Sequence, residues 1–117
     1  MEYTGKEKRK FPRTDHAYTI SFKKHNDPAA DWDISNTMDL SLGGAFFISR
    51  EFLPPDTELD INLKIPSQKE DCKCLALVKR CNGPVKNTYY KIAANFKHQD
   101  KLFQEPLKRS LDFFLNQ

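Results

Sequence analysis

Two short motifs hold the residues best suited to chemistry in this chain. Asp39, Ser41 and Gly44 stand in TMDLSLGGAFFIS, residues 37–49. The Asp39 carboxylate offers two acceptor oxygens, and Ser41, two residues on, falls on the same side of an extended segment with a hydroxyl that donates and accepts. Gly43 and Gly44 are two of only four glycines. Lacking Cβ, they can hold positive φ and let a flat ligand lie against the backbone. An acceptor pair beside a hydroxyl suits a group with two adjacent N–H donors, such as the Watson–Crick edge of guanine. The same Asp-x-Ser-x-x-Gly spacing also makes a capped turn between strands.

The second motif is Arg9-x-x-x-Arg13, within KRKFPR at residues 8–13. Pro12 pushes Phe11 into extended geometry and disfavours a helix there. Extended residues four apart share a face about 13 Å apart, so two guanidinium forks at that separation could grip opposite parts of one anionic ligand. Arginine binds phosphate bidentately, matches the O6/N7 edge of guanine and stacks on a purine, which lysine does not. One motif supplies donors for phosphate and the Hoogsteen edge, the other supplies acceptors for the Watson–Crick edge. A guanine nucleotide asks for both.

The elements that must position these residues are short strands. TELDINLKIP alternates Leu59, Ile61, Leu63 and Ile65 with polar residues and closes at Pro66. HAYTISFKK alternates Tyr18, Ile20 and Phe22, and WDISNTMDLS places Trp32, Ile34, Met38 and Leu40 in phase. AFFISR, CKCLALVKRC and TYYKIAANFK are further strand-like runs, separated by turn chemistry in HNDPAAD, LGG, LPPD, IPSQKED and CNGP. Six short strands with no long helix between them predict an antiparallel barrel or sandwich, and spacing does not choose between the two. The tail changes period: Phe103, Leu107, Leu111 and Phe114 or Leu115 mark a helical face. Pro106 is tolerated only in a first turn, which predicts a helix from about Glu105 or Pro106 to the end, with 99–104 as a lead-in.

Composition narrows the function classes. At 117 residues the chain suits one domain with one site. No window is apolar enough to span a membrane, and MEYTGKEKRK lacks a secretion signal's apolar region, so the expected location is the cytoplasm. Cys72, Cys74 and Cys81 are odd in number and clustered, a poor disulfide framework. Cys72 and Cys74 share a strand face and Cys81 has opposite parity, so neither metal nor cofactor is expected. His16, His25 and His98 have no nucleophile partner, and no phosphate loop or paired carboxylates argue for an enzyme. A nucleic-acid-binding barrel is the rival from another class, with Phe46, Phe47, Tyr89 and Tyr90 to stack bases. The net charge of +3 is low for a backbone binder, and Asp39 would repel phosphates.

On these residues the sequence resembles the PilZ domain, the bacterial receptor module for cyclic di-GMP. The resemblance rests on Arg9-x-x-x-Arg13, on Asp39-x-Ser41-x-x-Gly44 one hairpin later, and on six strands followed by an amphipathic helix. It implies an all-β-dominated fold, a six-stranded antiparallel Greek-key-like β-barrel at residues 15–98 with a C-terminal α-helix at 99–117. A flexible basic arm at residues 1–14 would carry the arginines. By the same resemblance Arg9, Arg13, Asp39, Ser41 and Gly44 would bind cyclic di-GMP, with Lys8, Lys10, Gly43 and Arg80, or Lys79, as secondary contacts. Binding would order the arm, and the signal would pass to a partner protein of motility, pilus or exopolysaccharide machinery. A PilZ-like protein-interaction module without nucleotide binding is the reading that keeps the fold and drops the ligand; such degenerate relatives usually lack the arginines.

Overall fold

The computed structural model describes residues 16–66, 68–97 and 101–115. These residues form six strands and one helix: β1 Thr19–Lys24, β2 Asp33–Leu40, β3 Gly44–Ser49, β4 Glu58–Leu63, β5 Cys72–Val85, β6 Tyr89–Lys97 and α1 Lys101–Leu115. All neighbours pair antiparallel, and the order β1-β2-β3-β6-β5-β4 closes into a barrel. Around the barrel β4 returns to lie beside β1, outside the β1-β2-β3 meander, which is the Greek-key order 4-1-2-3. The expected basic arm at residues 1–14 lies outside the described residues.

The barrel interior is filled. Ile20 and Phe22 on β1, Leu59, Ile61 and Leu63 on β4 and Ala45 and Phe47 on β3 all point inward and are buried. Phe22 and Phe47 meet with ring centroids 4.8 Å apart. Helix α1 meets the barrel where β6 ends and β1 begins: Phe103 packs edge-on against Phe96 at 5.1 Å, and the Tyr18 hydroxyl shares a 2.6 Å hydrogen bond with Ser110. Phe103, Leu107 and Leu111 are at most 4% exposed. Burial of each is worth roughly 1.5–3 kcal/mol.

That apolar face explains why the helix starts earlier than the proline rule predicts. Pro106 is the sixth helical residue and lacks the N–H that would bond the Leu102 carbonyl. Residues 101–105 are nonetheless helical, because Phe103 continues the Leu107 and Leu111 stripe one turn toward the N-terminus and is held by Phe96. Three buried side chains at steps of four outweigh one missing hydrogen bond.

Two strands also depart from expectation. Trp32, Ile34 and Met38 do not share a buried face with Leu40: they are 45%, 73% and 39% exposed, while Leu40 is fully buried. The phase slips inside β2. Strand β5 does not end at Cys81 with CNGP as its turn; it runs on to Val85, absorbing Gly83 (φ 140°) in a register shift between Asn82 and Val85. The reversal falls instead on Lys86 and Asn87, whose φ values of 52° and 56° give the twist that tight hairpins favour.

Candidate functional site

The slip in β2 is a β-bulge, and it sets the direction of Asp39. Thr37 pairs with Phe47 and Asp39 with Phe46, leaving Met38 as the extra residue. Thr37 and Phe47 face the core; Asp39 and Phe46 are half-buried on the outer wall. With strict alternation Asp39 would share Thr37's side and point into the barrel. The extra residue turns the carboxylate out and Leu40 in. Tyr18 pins the strand beside the bulge: its amide donates to Thr37 Oγ1 at 2.9 Å, and the Thr37 amide donates to its carbonyl at 2.8 Å.

Strand β5 repeats the device. Val78 pairs with Ala94 and Arg80 with Ala93, so Lys79 is the extra residue. Val78 is buried and Arg80 exposed on the outer wall. The same slip returns Cys81 to the core side, opposite the fully buried Ile92, so the parity argument that separated Cys81 from Cys72 and Cys74 fails. All three cysteines are free. Burial raises the Cys74 thiol to about 12, and burial, with Asp71 nearby, raises that of Cys72.

The two bulges place Asp39 and Arg80 at opposite ends of one row. The register runs Asp39, Phe46, Ala93, Arg80 across β2, β3, β6 and β5. Three strand spacings separate the ends, about 14 Å along the sheet. Between them lie the half-buried Phe46 ring and the small Ala93 side chain. Asn95 and Lys91 flank Ala93 on the same outer face of β6, the former exposed and the latter half-buried. A carboxylate, a flat apolar floor and a guanidinium in line can take a planar donor group at one end and an anionic group at the other.

Ser41 and the glycines build the turn from β2 to β3. The Ser41 hydroxyl accepts from the Gly43 amide at 3.1 Å, the Ser41 amide donates to the Gly44 carbonyl at 3.0 Å, and the Phe96 amide donates to the Gly43 carbonyl at 2.9 Å. Ser41 is thus largely buried as a turn cap, not displayed beside Asp39 as strict extension predicts. Neither Gly43 nor Gly44 takes a positive φ. Gly44 is needed for close approach: a Cβ there would overlap the Ala94 carbonyl oxygen and crowd the Asn95 Cα at 3.3 Å.

Of the sequence-derived site residues, the structure brings Asp39, Ser41, Gly43 and Gly44 together at one turn and sets Arg80 across the wall from Asp39. Lys79 is an exposed bulge residue. Arg9, Arg13, Lys8 and Lys10 lie outside the described residues. Sequence reasoning missed Ala93 and Asn95, and it assigned Phe46 only to base stacking. Phe47 belongs to the core and offers no stacking surface, a correction to the nucleic-acid reading. Consecutive aromatics after the buried Ala45 carried that signal, since only one of two neighbours can face inward. Among the described residues no group of His, Cys, Asp and Glu is placed to hold a metal ion.

Fold and geometry define a small β-barrel with a filled interior and polar groups gathered on its outer wall. Over residues 7–113 the sequence matches the family model of the PilZ domain, and the chain belongs to that family. No curated protein matches it in sequence. Among solved structures it is similar to the PilZ domain with c-di-GMP of YcgR from Escherichia coli (TM-score 0.63, 17% identity, 94% of this chain and 92% of that one). It is also similar to K. pneumonia MrkH in a c-di-GMP complex (0.70, 21%, 94% and 54%) and to the Bacillus subtilis inhibitor of motility MotI/DgrA (0.64, 16%, 91% and 53%). The chain spans about half the length of the MrkH and MotI chains. At these identities the likeness concerns the fold.

Proposed function

We propose that this chain is a receptor for cyclic di-GMP that binds the dinucleotide on the bulged outer wall and passes the signal to a partner protein. One observation carries the reading: the β2 bulge turns Asp39 outward at the mouth of the Ser41–Gly44 turn, in line with Phe46 and Arg80. Asp39 accepts from the N1–H and N2 amine of one guanine, and the Ser41 hydroxyl, whose lone pair already caps Gly43, donates its proton at the edge of the same site. Gly43 and Gly44 keep the approach open. Phe46 and Ala93 form the floor under the purine, and Arg80 meets a phosphate or the second guanine.

Arg9 and Arg13 bind the phosphates and the Hoogsteen edge, with Lys8 and Lys10 adding charge. A ligand bridging these arginines to Asp39 fixes residues 1–14 against the barrel and makes a new surface there. The output is that surface and not a reaction, read in the cytoplasm by a protein partner. Membership of the PilZ family supports this reading, as do relatives solved as c-di-GMP complexes. Calorimetric titration at about physiological salt, with cyclic di-AMP and GTP as controls, tests it. Saturable binding selective for cyclic di-GMP is expected. No heat from a folded sample would leave a PilZ barrel acting as a protein-interaction module alone.

A further inference from the structure

The opposite wall of the barrel carries a feature that the nucleotide reading does not use. Trp32, 45% exposed, directly precedes β2, and Ile34, 73% exposed, is its second residue. From Ile34 a row runs through Ser21, Asn62 and Lys73 across β1, β4 and β5, and the next row holds Lys23, Asp60 and Leu75. The short side chains of Ser21 and Asn62 leave a trough that separates the apolar Trp32 and Ile34 on one side from Lys73 of β5 on the other, with Lys23 of β1 beside Trp32. An open cavity of about 420 Å³ reaches from Trp32 and Lys23 over Asp60 and Asn62 to Lys73 and Leu75.

The charges of this wall are unequally matched. Asp60 is held by His25 Nδ1 at 2.8 Å, Lys24 pairs with Glu51 at 3.1 Å, and Lys97 pairs with Glu58 at 2.8 Å. Lys23 and Lys73 have no carboxylate partner among the described residues; the Lys23 ammonium lies 5.3 Å from the Trp32 ring centroid instead. Two unmatched cations therefore border an exposed indole and an exposed isoleucine. Tryptophan is the residue type most enriched among interface anchors, and apolar surface rimmed by polar groups marks contact sites. From Ile34 to Lys73 is three strand spacings, about 14 Å, close to the roughly 13 Å between residues i and i+4 on one face of an extended chain.

We propose that this trough docks an extended acidic segment of a protein partner. Its aromatic or aliphatic side chain lies on Trp32 and Ile34, and its carboxylates meet the Lys73 and Lys23 ammonium groups on either side of Asp60, which His25 already holds. Two cations are too few to track a nucleic-acid backbone.

Selection of a random 12-residue peptide display library on the full chain tests this, with binding read from the emission of Trp32, the only tryptophan. Enriched peptides should combine Asp or Glu with an aromatic or aliphatic residue and should shift that emission. They should lose at least tenfold affinity on Lys73→Glu or Ile34→Asp, exposed changes whose folding circular dichroism can check. Cyclic di-GMP affinity should be unchanged by either variant, so failure of the nucleotide reading would be seen separately. No enrichment, enriched peptides without acidic residues, or binding indifferent to Lys73→Glu would overturn the proposal. A concentration-dependent dimer abolished by Ile34→Asp would overturn it too, assigning the trough to a second copy of the chain.

Discussion

The β1–β4 wall and the β2–β3–β6–β5 wall are built from similar residues but obey different arithmetic. Strand β4 alternates without interruption: Leu59, Ile61 and Leu63 face in, Glu58, Asp60 and Asn62 face out, and its pairing with β1 and β5 holds one register. On the other wall β2 carries the extra residue Met38, and β5 carries Lys79 besides its later shift between Asn82 and Val85; Met38 and Lys79 each turn the next side chain, Asp39 or Arg80, out of the barrel. An unbroken period makes core; a broken one aims a charge.

The sharpest way to break the comparison is to remove one residue from each wall. Deleting Met38 joins Thr37 to Asp39 as a regular strand in which Asp39 still faces out and Leu40 still faces in, so unfolding should stay cooperative, whereas deleting Asp60 from β4 turns Ile61 and Leu63 out of the core and Asn62 into it. The loss of two core side chains should cost more than about 4 kcal/mol, and urea denaturation of the Asp60 deletion should find no cooperative transition. Deleting a residue from the polar loop HNDPAAD should be far milder, since no side chain of the core changes sides.

Gly44→Ala comes next. The new methyl meets the Ala94 carbonyl, which is backbone and cannot swing away, so a loss of about 1–3 kcal/mol is expected in denaturation. The loss of ligand affinity should accompany it, because the same turn carries Ser41.

Asp39→Ala and Arg80→Ala separate aim from stability. Both side chains face outward, so unfolding midpoints should scarcely move. Asp39→Ala should lower cyclic di-GMP affinity by about 1.5–3 kcal/mol and blunt selectivity for guanine, as measured by calorimetry against cyclic di-AMP. Arg80→Ala should cost about 1 kcal/mol or less, with a shallower salt dependence, because an exposed cation is well screened. Ile34→Ala, on the stretch of β2 that pairs with β1 ahead of the bulge, should leave affinity unchanged.

The smallest effect concerns pH. Burial raises the thiol of Cys74 to about 12 from 9.0 in the unfolded chain, and Tyr18 is likewise raised by burial, against the lowering effect of its Ser110 hydrogen bond. The folded state therefore holds these protons where the unfolded chain releases them. Their contribution is complete below about pH 9 and is lost as pH rises toward the folded values. Stability measured from pH 8 to 11 should fall, and Cys74→Ala should flatten the slope.

The sequence made the strands legible wherever period two was unbroken, as in TELDINLKIP, and the motif residues were legible from their types alone. What it hid were the slips. In WDISNTMDLS the apolar Trp32, Ile34 and Met38 read as core because each is large; the small Thr37 is the buried one, satisfied by the Tyr18 amide. A threonine inside and a tryptophan outside invert the usual order, and only pairing with Phe47 and Phe46 reveals it. The resemblance alone points to Arg80 as a secondary contact; its place in the Asp39 row depends on Lys79 being extra, which no spacing rule announces. The start of α1 was misjudged because proline chemistry is local while the grip of Phe96 on Phe103 is not.

Amide chemical-shift mapping of the full chain during titration with cyclic di-GMP tests the central claim most directly. If the bulged wall is the receptor surface, saturable shifts will cluster on Asp39, Ser41–Gly44, Phe46, Ala93 and Arg80, while Ser21, Asn62 and Lys73 stay still. Shifts centred on the β1–β4 wall, or none at all, would contradict it.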